Sequence, residues 1–234
     1  MKLFAISDLH LSKASDKPME LFGAEWKNHW SKIIIDWKSK VSDDDIVLIA
    51  GDISWAMRLE EAIFDLNDIA ECPGRKVLIR GNHDYWWSSV SKIRKLLLPS
   101  MYIIHNDALR IGNLIFAGSR GWTVPEIGQT QSSEDKKLYE REKLRLEISL
   151  ERAESMKTSE DIVIGMMHYP PFSSRYDDSH FTRLFSEHNV RLVIYGHLHG
   201  ELSRIKPTYV KNNIPYYLTS CDKLNFKLLE ISLN

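Results

Sequence analysis

The sequence predicts an α/β fold in which parallel strands alternate with helices. Three observations lead to this prediction: short, continuously apolar runs recur, each run ends in a polar turn, and longer segments of helical periodicity separate the runs. Runs without alternating polar residues are typical of strands that helices or a second layer cover on both faces. The chain has 234 residues, which suits one sizeable domain, so we expect residues 1–234 to form a single domain.

The five central strands are predicted from the continuously apolar runs. They cover residues 3–6, 46–50, 76–79, 162–165 and 192–195. Between the first two strands a helix is expected from Glu25 to Lys40, because apolar residues recur there on one helical face. That face is formed by Trp26, Trp30, Ile33, Ile34 and Trp37, and we assign its three tryptophans to the core.

The other predicted elements complete the chain. A second helix is expected from about Arg58 to Ala70, where Pro73-Gly74 stops it. Two or three strands with a turn near Gly112-Asn113 should lie between Met101 and Ala117. The segment Glu134 to Lys157 predicts one amphipathic helix, since it is too short for the sustained heptads of a coiled coil. Three last strands are expected over residues 202–205, 216–219 and 226–231.

Charge and cysteine content limit the classes of function. Lys and Arg number 31 against 32 Asp and Glu, so no global positive field exists to hold a polyanion. Cys72 and Cys221 lie far apart without a CxxC motif, so neither a disulfide framework nor a thiolate zinc cluster is indicated. Asp8 interrupts the first apolar run too early for a signal peptide or a membrane span. We therefore expect a cytoplasmic protein without membrane contact.

Polar motifs follow all five predicted strands. Because the carboxyl ends of parallel strands lie at one edge of a sheet, we expect these side chains to converge. An Asp-x-His or Gly-Asp motif alone is more often a turn or a helix cap, and His168 alone would more often be a loop histidine, whereas His197 and His199 point to the same side of an extended segment. Five such coincidences after five successive strands are not expected by chance. The oxygen and imidazole donors, without thiolates, suit divalent first-row metals. The motifs are Asp8-x-His10, Gly51-Asp52, Gly81-Asn82-His83-Asp84, His168 and Gly196-His197-x-His199.

In this order the motifs resemble the calcineurin-like metallophosphoesterase superfamily, from residue 3 to about residue 200. The resemblance implies a four-layer sandwich of two mixed β-sheets flanked by helices, with the last strands in the second sheet. It also implies two divalent metal ions, chosen from Mn, Fe, Zn, Ni and Mg. One ion would be bound by Asp8, His10 and His199 and the other by Asn82, His168 and His197, with Asp52 bridging both.

The resemblance further implies that the protein is an enzyme, a hydrolase of small-molecule phosphomonoesters or phosphodiesters. A water that bridges two cations is partly hydroxide at neutral pH, so no serine or cysteine nucleophile is needed. His83 would be the acid that protonates the leaving group, and Asp84 would orient its imidazole and raise its pKa. The alternative for Asp84 is a cap of the helix that begins near Ser88.

One departure from the superfamily concerns the arginine that grips phosphate in serine/threonine protein phosphatases. Their second motif has the form Gly-Asp-x-x-Asp-Arg-Gly, whereas here Gly51-Asp52 continues as Ile53-Ser54-Trp55-Ala56-Met57-Arg58. Protein phosphatase activity is therefore not expected. Arg120, in a glycine-flanked loop with Trp122, and Arg175 are the candidates to contact the substrate instead. Five aromatic residues near the motifs could stack on a flat leaving group or pack in the core: Trp55, Tyr85, Trp86, Trp87 and Trp122.

Two other functions stay open at this point. A nuclease would need only a local groove with a few arginines, although the neutral charge balance and the lack of a basic arm count against it. A binding scaffold with the same fold would not need intact metal ligands, and the presence of all seven ligand positions together with His83 argues for the enzyme. The sequence indicates neither the substrate nor the oligomeric state.

Overall fold

The structure, a computed structural model, describes residues 1–15, 17–200 and 206–233 and confirms the predicted sandwich of two mixed sheets. The first sheet has five strands in the spatial order β11 (Leu229–Ile231), β1 (Leu3–Ile6), β2 (Ile46–Ile49), β3 (Arg75–Leu78) and β4 (Met101–Ile103). The second sheet has six in the order β5 (Ala108–Ile111), β6 (Leu114–Ser119), β7 (Ile162–Met167), β8 (Leu192–Tyr195), β10 (Ile214–Leu218) and β9 (Thr208–Lys211).

Parallel pairing dominates the centre of both sheets, and antiparallel strands close their edges. In the first sheet β1 to β4 pair in parallel, while β11 runs antiparallel to β1. In the second sheet β6, β7, β8 and β10 are parallel, while β5 and β9 pair antiparallel with β6 and β10. The carboxyl ends of the parallel strands in each sheet therefore share one edge, which is where the polar motifs follow.

Five α-helices cover the outer faces of the sheets. They are α1 (His29–Lys40), α2 (Leu59–Ala70), α3 (Val90–Leu96), α4 (Ser133–Met156) and α5 (His180–Glu187). Two short 3-10 helices, Met19–Phe22 and Ala24–Trp26, precede α1. Among the described helices, none is long and apolar enough to cross a membrane.

Strand side chains alternate between an outer and an inner core. In β1, Phe4 packs in the outer cluster with α1 residues such as Trp37, whereas Leu3 faces the inner cluster with Phe116 and Ile164 of the second sheet. A third cluster joins α4 and α5 to the outer face of the second sheet. This alternation has the period of two that a strand imposes, and it explains why strands covered on both faces are predominantly apolar.

Most predicted elements are confirmed, with differences at the ends. All five central strands, the helix over Leu59–Ala70, the long helix α4 and the turn at Gly112-Asn113 occur within about two residues of their predicted places. The strands β9 and β10 flank a turn at Asn212-Asn213. Only the second of these strands, β10, was predicted. The helix expected to begin near Ser88 is α3, which starts at Val90, whereas the short helix α5 was not predicted, because eight residues give little periodicity.

The helix expected from Glu25 begins later than predicted. Asn28 adopts a left-handed conformation, so the segment with Trp26 is a separate 3-10 helix and α1 starts at His29. Trp26 and Trp37 are buried, but Trp30 is only partly buried at the edge of the core, so its assignment to the core was wrong. The shift to 3-10 geometry rotates the first turn relative to the rest of the helix.

Two differences concern the last strands. The strand predicted over 226–231 is confined to Leu229–Ile231, because Asn225 and Phe226 have positive φ and cannot continue a strand. The strand predicted over 202–205 lies outside the described residues.

Candidate metal centre

The polar motifs meet where the parallel strands of the two sheets end. The loops after β1 and β2 run side by side, since the backbone N–H of Asp8 donates to the Gly51 carbonyl and that of His10 to the Asp52 carbonyl, both at 3.0 Å. In the second sheet, the backbone N–H of Gly196 donates to the His168 carbonyl at 3.0 Å. The expected convergence of the motifs is therefore present.

Four of the predicted ligands adopt a left-handed backbone conformation with positive φ. Asp8, His10, Asp52 and His197 have φ values of 56°, 47°, 52° and 71°. Such conformations are uncommon for residues other than glycine and are typical of functional sites, where surrounding structure maintains them. Here they turn the side chains at the strand ends into a common space between the sheets.

The first group of donors contains Asp8, His10 and His199, whose ligand atoms lie within 4.8 Å of one another. The Asp8 carboxylate is buried and accepts hydrogen bonds from the Ser7 hydroxyl at 2.6 Å and from the backbone N–H of His197 at 3.0 Å. The His10 ring is buried against Trp55, with ring centroids 4.7 Å apart, and neither of its nitrogens has a hydrogen-bond partner.

The second group contains Asp52, His168 and His197, also within 4.8 Å of one another. Asn82 belongs to it, since its Oδ1 lies 2.7 Å from His168 Nε2 and 2.9 Å from His197 Nδ1. The other ring nitrogen of His168 contacts the Ala50 carbonyl at 2.9 Å. That contact orients the ring so that Nε2 faces Asn82 and Asp52.

Asp52 stands between the two groups. Its Oδ2 lies 3.8 Å from His10 Nε2 and 3.4 Å from His168 Nε2, while its Oδ1 accepts a hydrogen bond from the backbone N–H of His83 at 2.8 Å. Oδ2 is buried without a hydrogen-bond partner. One carboxylate oxygen thus faces both groups of donors.

The donor set fits divalent cations. A buried carboxylate oxygen and two buried imidazole nitrogens without partners are costly in a protein interior, unless a bound group compensates them. Oxygen and imidazole ligands without thiolates match the preferences of first-row divalent metals. Each of the two groups of three residues could hold such an ion.

Two glycines make this close approach geometrically feasible. A Cβ on Gly81 would lie 2.1 Å from Asp52 Oδ1, and one on Gly196 would lie 2.7 Å from Asp8 Oδ2. Both distances are far below van der Waals contact, so any side chain here would displace a predicted ligand.

Burial sets the protonation of the site. It lowers the pKa of His10 and of His197 to about 3, which keeps both imidazoles in the neutral form that binds metals. Burial also raises the pKa of Asp8. For Asp52, burial acts against the ionised form, but the neighbouring His168 prevails and lowers the pKa; Asp52 in turn raises the pKa of His168 against the effect of burial.

The expected contact between His83 and Asp84 is absent, which corrects that part of the prediction. Asp84 is buried and its oxygens accept five N–H groups: those of Asp52, Ile53, Ser54, Gly81 and the Trp86 indole. Asp84 does not cap α3 either, since that helix starts after Ser89. Burial raises the pKa of Asp84, while the N–H donors oppose the shift. The residue ties the loops after β2 and β3 together.

His83 lies at the edge of the centre, half-buried. Its ring centroid is 4.6 Å from that of Trp55 and 5.7 Å from that of His10, and its Nδ1 lies 3.4 Å from the Tyr85 hydroxyl. Contrary to the expected rise, burial lowers the pKa of His83, although the Asp52 charge opposes this. The Asp84 carboxylate cannot raise it by contact, because it bonds elsewhere.

Of the residues predicted to contact the substrate, Arg120 and Trp122 lie beside the centre, whereas Arg175 is exposed. The Arg120 guanidinium stacks over the Trp122 ring at 4.8 Å, and the Trp122 ring is 5.2 Å from that of Tyr169. Tyr169 itself lies 4.1 Å from the His197 ring, so this group borders the centre. Arg175 is an exposed residue. Of the other aromatic residues near the motifs, Trp55, Trp86 and Trp87 are buried and Tyr85 is exposed.

Sequence reasoning did not single out three residues beside the centre. Tyr169 follows His168 directly, and that adjacency was the available signal. The Lys17 ammonium lies 4.5 Å from the centroid of the Trp55 ring, which no sequence spacing indicates. Arg80 precedes the Gly81-Asn82 pair, and its significance appears only from its neighbours in space.

An α/β sandwich with a cluster of Asp, Asn and His at the strand ends defines a metal-binding phosphoesterase fold. A model of the calcineurin-like phosphoesterase family matches residues 1–201. The chain belongs to this family, whose members hydrolyse phosphate esters and typically depend on divalent metals.

Known proteins and structures support the fold. A "Gene 66 protein" of Mycobacterium phage L5 is 37% identical over 78 residues, a match that spans 33% of this chain and 37% of that protein. The structure of TT1561 from Thermus thermophilus is similar with a TM-score of 0.61 at 13% identity, over 99% of this chain and 98% of that one. The phosphopantetheinyl hydrolase from Mycobacterium tuberculosis has a TM-score of 0.55 at 14% identity, over 98% and 95%. At 13% and 14% identity, the likeness to these two structures shows the fold alone.

Proposed function

We propose that the chain is a binuclear metal-dependent phosphoesterase that hydrolyses a monoester or diester of a small molecule. The observation that carries the proposal is the position of Asp52, whose single unpartnered oxygen faces both donor groups. Two ions held by a shared carboxylate are the arrangement that phosphoryl displacement uses. Asp8, His10 and His199 would hold one ion, and Asn82, His168 and His197 the other.

The residues around the ions have separate tasks. When bound, two divalent cations neutralise charge on the phosphoryl oxygens and lower the pKa of a water between them. Ser7 and the backbone N–H of His197 fix the Asp8 carboxylate, and the Ala50 carbonyl fixes the His168 ring. Fixed ligands cost little reorganisation during the reaction, which is the main source of electrostatic catalysis.

His83 would supply the proton to the leaving oxygen. Its backbone N–H is bonded to Asp52, while its ring is free of metal-ligand contacts and lies between Trp55 and Tyr85. Protonating an alkoxide as the ester bond breaks is a common role for a positioned imidazole. Arg120 and Trp122 would contact the substrate from the opposite side, beside Tyr169 and His197.

We also propose that the protein is cytoplasmic and that its substrate is a small molecule. Both cysteines are buried as free thiols, which suits a reducing compartment. The net charge of -1 gives no general attraction for nucleic acid. Sites with oxygen and imidazole ligands accept several divalent ions. We therefore propose to test manganese first and the other divalent metals after it.

Turnover of aryl phosphates tests the function. We expect metal-free protein to be inactive towards p-nitrophenyl phosphate and bis-p-nitrophenyl phosphate, and added Mn²⁺ to restore hydrolysis of at least one. Asp52→Asn removes the shared charge, so both metals should be lost together in elemental analysis, with turnover reduced by about 10³-fold or more. Asp43→Asn, at an exposed position, is the matched control and should behave as wild type.

Three outcomes would contradict the proposal. Metal binding without hydrolysis of any ester, across Mn, Fe, Zn, Ni and Mg, would indicate a scaffold. Hydrolysis of single-stranded DNA in preference to every small ester would indicate a nuclease. Two full metal sites in the Asp52→Asn variant would exclude the bridging role of this carboxylate.

A further inference from the structure

A basic cleft lies beside the proposed metal centre, where β3, β4 and β6 end. Arg80 precedes the Gly81-Asn82 pair, so its backbone continues directly into the centre. The Arg120 carbonyl accepts the backbone N–H groups of His168 at 3.2 Å and Tyr169 at 2.9 Å. The cleft is lined by Arg80, His105, Asn106, Ser119, Arg120 and Arg145, with Glu142 of α4 at its base.

The charges in this cleft do not balance. Glu142 is buried, and its Oε1 already contacts three arginines: Arg145 at 2.7 Å, Arg141 at 3.4 Å and Arg120 at 3.5 Å. Arg80 has neither a hydrogen bond nor an ion pair within the described residues, and its Nε is buried. The Nε of Arg120 is likewise buried without a partner. Three guanidinium groups therefore share the Glu142 carboxylate, and Arg80 has no ion-pair partner among the described residues.

Neighbouring acidic groups do not form an ion pair with Arg80. The Asp84 charge acts on Arg80 from a distance, but the Asp84 oxygens bond to backbone N–H groups and the Trp86 indole. Asp107, beside His105, is paired with Arg94 and with the His105 backbone N–H. A half-buried guanidinium with a buried unpaired nitrogen is costly, and a bound anion removes that cost.

We propose that this cleft binds a phosphate group, as a second anionic subsite next to the metal centre. The planar fork of a guanidinium matches the oxygens of phosphate with two parallel hydrogen bonds, and Arg80 and Arg120 offer unused N–H groups on the same cleft. If the proposed function holds, the preferred substrate is a small phosphate ester that carries a second phosphate remote from the scissile one.

Phosphate binding to metal-free protein tests the subsite without any contribution from metals. We expect saturable binding of inorganic phosphate in isothermal titration at low salt, and Arg80→Gln should weaken it by about tenfold or more, the range for a hydrogen bond to a charged group. Arg141→Gln is the matched control: it removes the same charge and also contacts Glu142, but Arg141 does not line the cleft. It should change the affinity by less than about threefold.

Two results of this titration would overturn the subsite. One is the absence of saturable phosphate binding to the wild-type metal-free protein. The other is an equal loss in Arg80→Gln and Arg141→Gln, which would assign the effect to the general positive field. A thermal melt and metal analysis of both variants establish that they fold and load metals as wild type does.

The substrate part is tested with pairs of alkanediol esters of increasing chain length, one member a monophosphate and the other a bisphosphate. We expect kcat/KM of the bisphosphate to exceed that of the monophosphate by about tenfold at the matching length, and Arg80→Gln but not Arg141→Gln to remove the advantage. Equal kcat/KM at every length, with phosphate binding intact, would overturn the substrate assignment and indicate free phosphate as the ligand. No turnover of either ester would contradict the proposed function, while the titration would still decide the subsite.

Discussion

Strained backbone at single residues is the cost of bringing the ligands together. Left-handed conformations at Asp8, His10, Asp52 and His197 each cost roughly 1–3 kcal/mol when no glycine is present. Backbone hydrogen bonds between the loops after β1 and β2 stabilise three of these four positions. The structure thus tolerates strain in the place where the donor atoms must converge.

His83 provides a prediction at the level of one side chain. His83→Ala should keep both metals, because the ring is outside the two donor groups, and should lower kcat for an alkyl phosphate ester by about 10²- to 10⁴-fold. The loss should be smaller for an aryl ester, whose leaving group needs less protonation. Steady-state kinetics with both esters and elemental analysis measure these effects. Unchanged turnover of the alkyl ester would exclude the acid role.

Among the elements, Asp84 joins two loops that carry ligands. Its carboxylate bonds to the N–H groups of Asp52, Ile53 and Ser54 after β2 and to that of Gly81 after β3, at 2.7 to 3.2 Å. The loop after β2 supplies Asp52 and the loop after β3 supplies Asn82 and His83. The placement of Asp52 relative to Asn82, both in the second donor group, therefore depends on this one buried side chain.

Asp84→Asn should weaken the protein and the metal centre together. The amide nitrogen cannot accept a hydrogen bond, so at least two buried N–H groups lose their partner, and the free energy of unfolding should fall by about 2–4 kcal/mol. Urea unfolding of the metal-free protein at equilibrium measures the loss, with Asp43→Asn as the exposed control. Metal affinity should fall as well. An effect on turnover alone, with stability unchanged, would favour a role for Asp84 next to His83.

For the whole molecule, the inner core between the sheets governs cooperativity. Leu3 and Leu48 of the first sheet pack in one cluster with Phe116 and Ile164 of the second. Neither sheet can expose this face without the other losing its cover. This shared core is the physical basis for proposing residues 1–234 as a single domain.

Thermal or urea unfolding of the metal-free protein should therefore show one transition. Six of the seven tryptophans lie between residues 26 and 87, so tryptophan fluorescence reports on the first half of the chain. Far-UV circular dichroism reports on the helices of both halves, including the 24-residue helix α4 in the second half. Coincident curves from the two probes are expected, as for a two-state domain. Two separate midpoints would divide the chain into two domains.

The sequence predicted features that depend on neighbouring residues, and it missed features that depend on contacts between distant parts of the chain. The strand Ile46–Ile49 and the donors Asp52 and His168 could be predicted, because an apolar run and the polar residue at its end are both local features. Trp30 could not be placed, since its exposure depends on where the 3-10 turn before α1 ends. The partners of Asp84 were missed because they lie about 30 residues away on another loop.

The sequence by itself determined the α/β class, the places of the central strands along the chain and the candidate donor residues at their ends, because periodicity and strand-end motifs are written in neighbouring residues. Only the tertiary structure decided that Asp52 faces both donor groups, that Asp84 ties loops rather than orienting His83, and that Arg80 has no counter-ion among the described residues. Those outcomes are distances between side chains from separate strands and helices. They are set by how the two sheets pack, which local patterns do not encode.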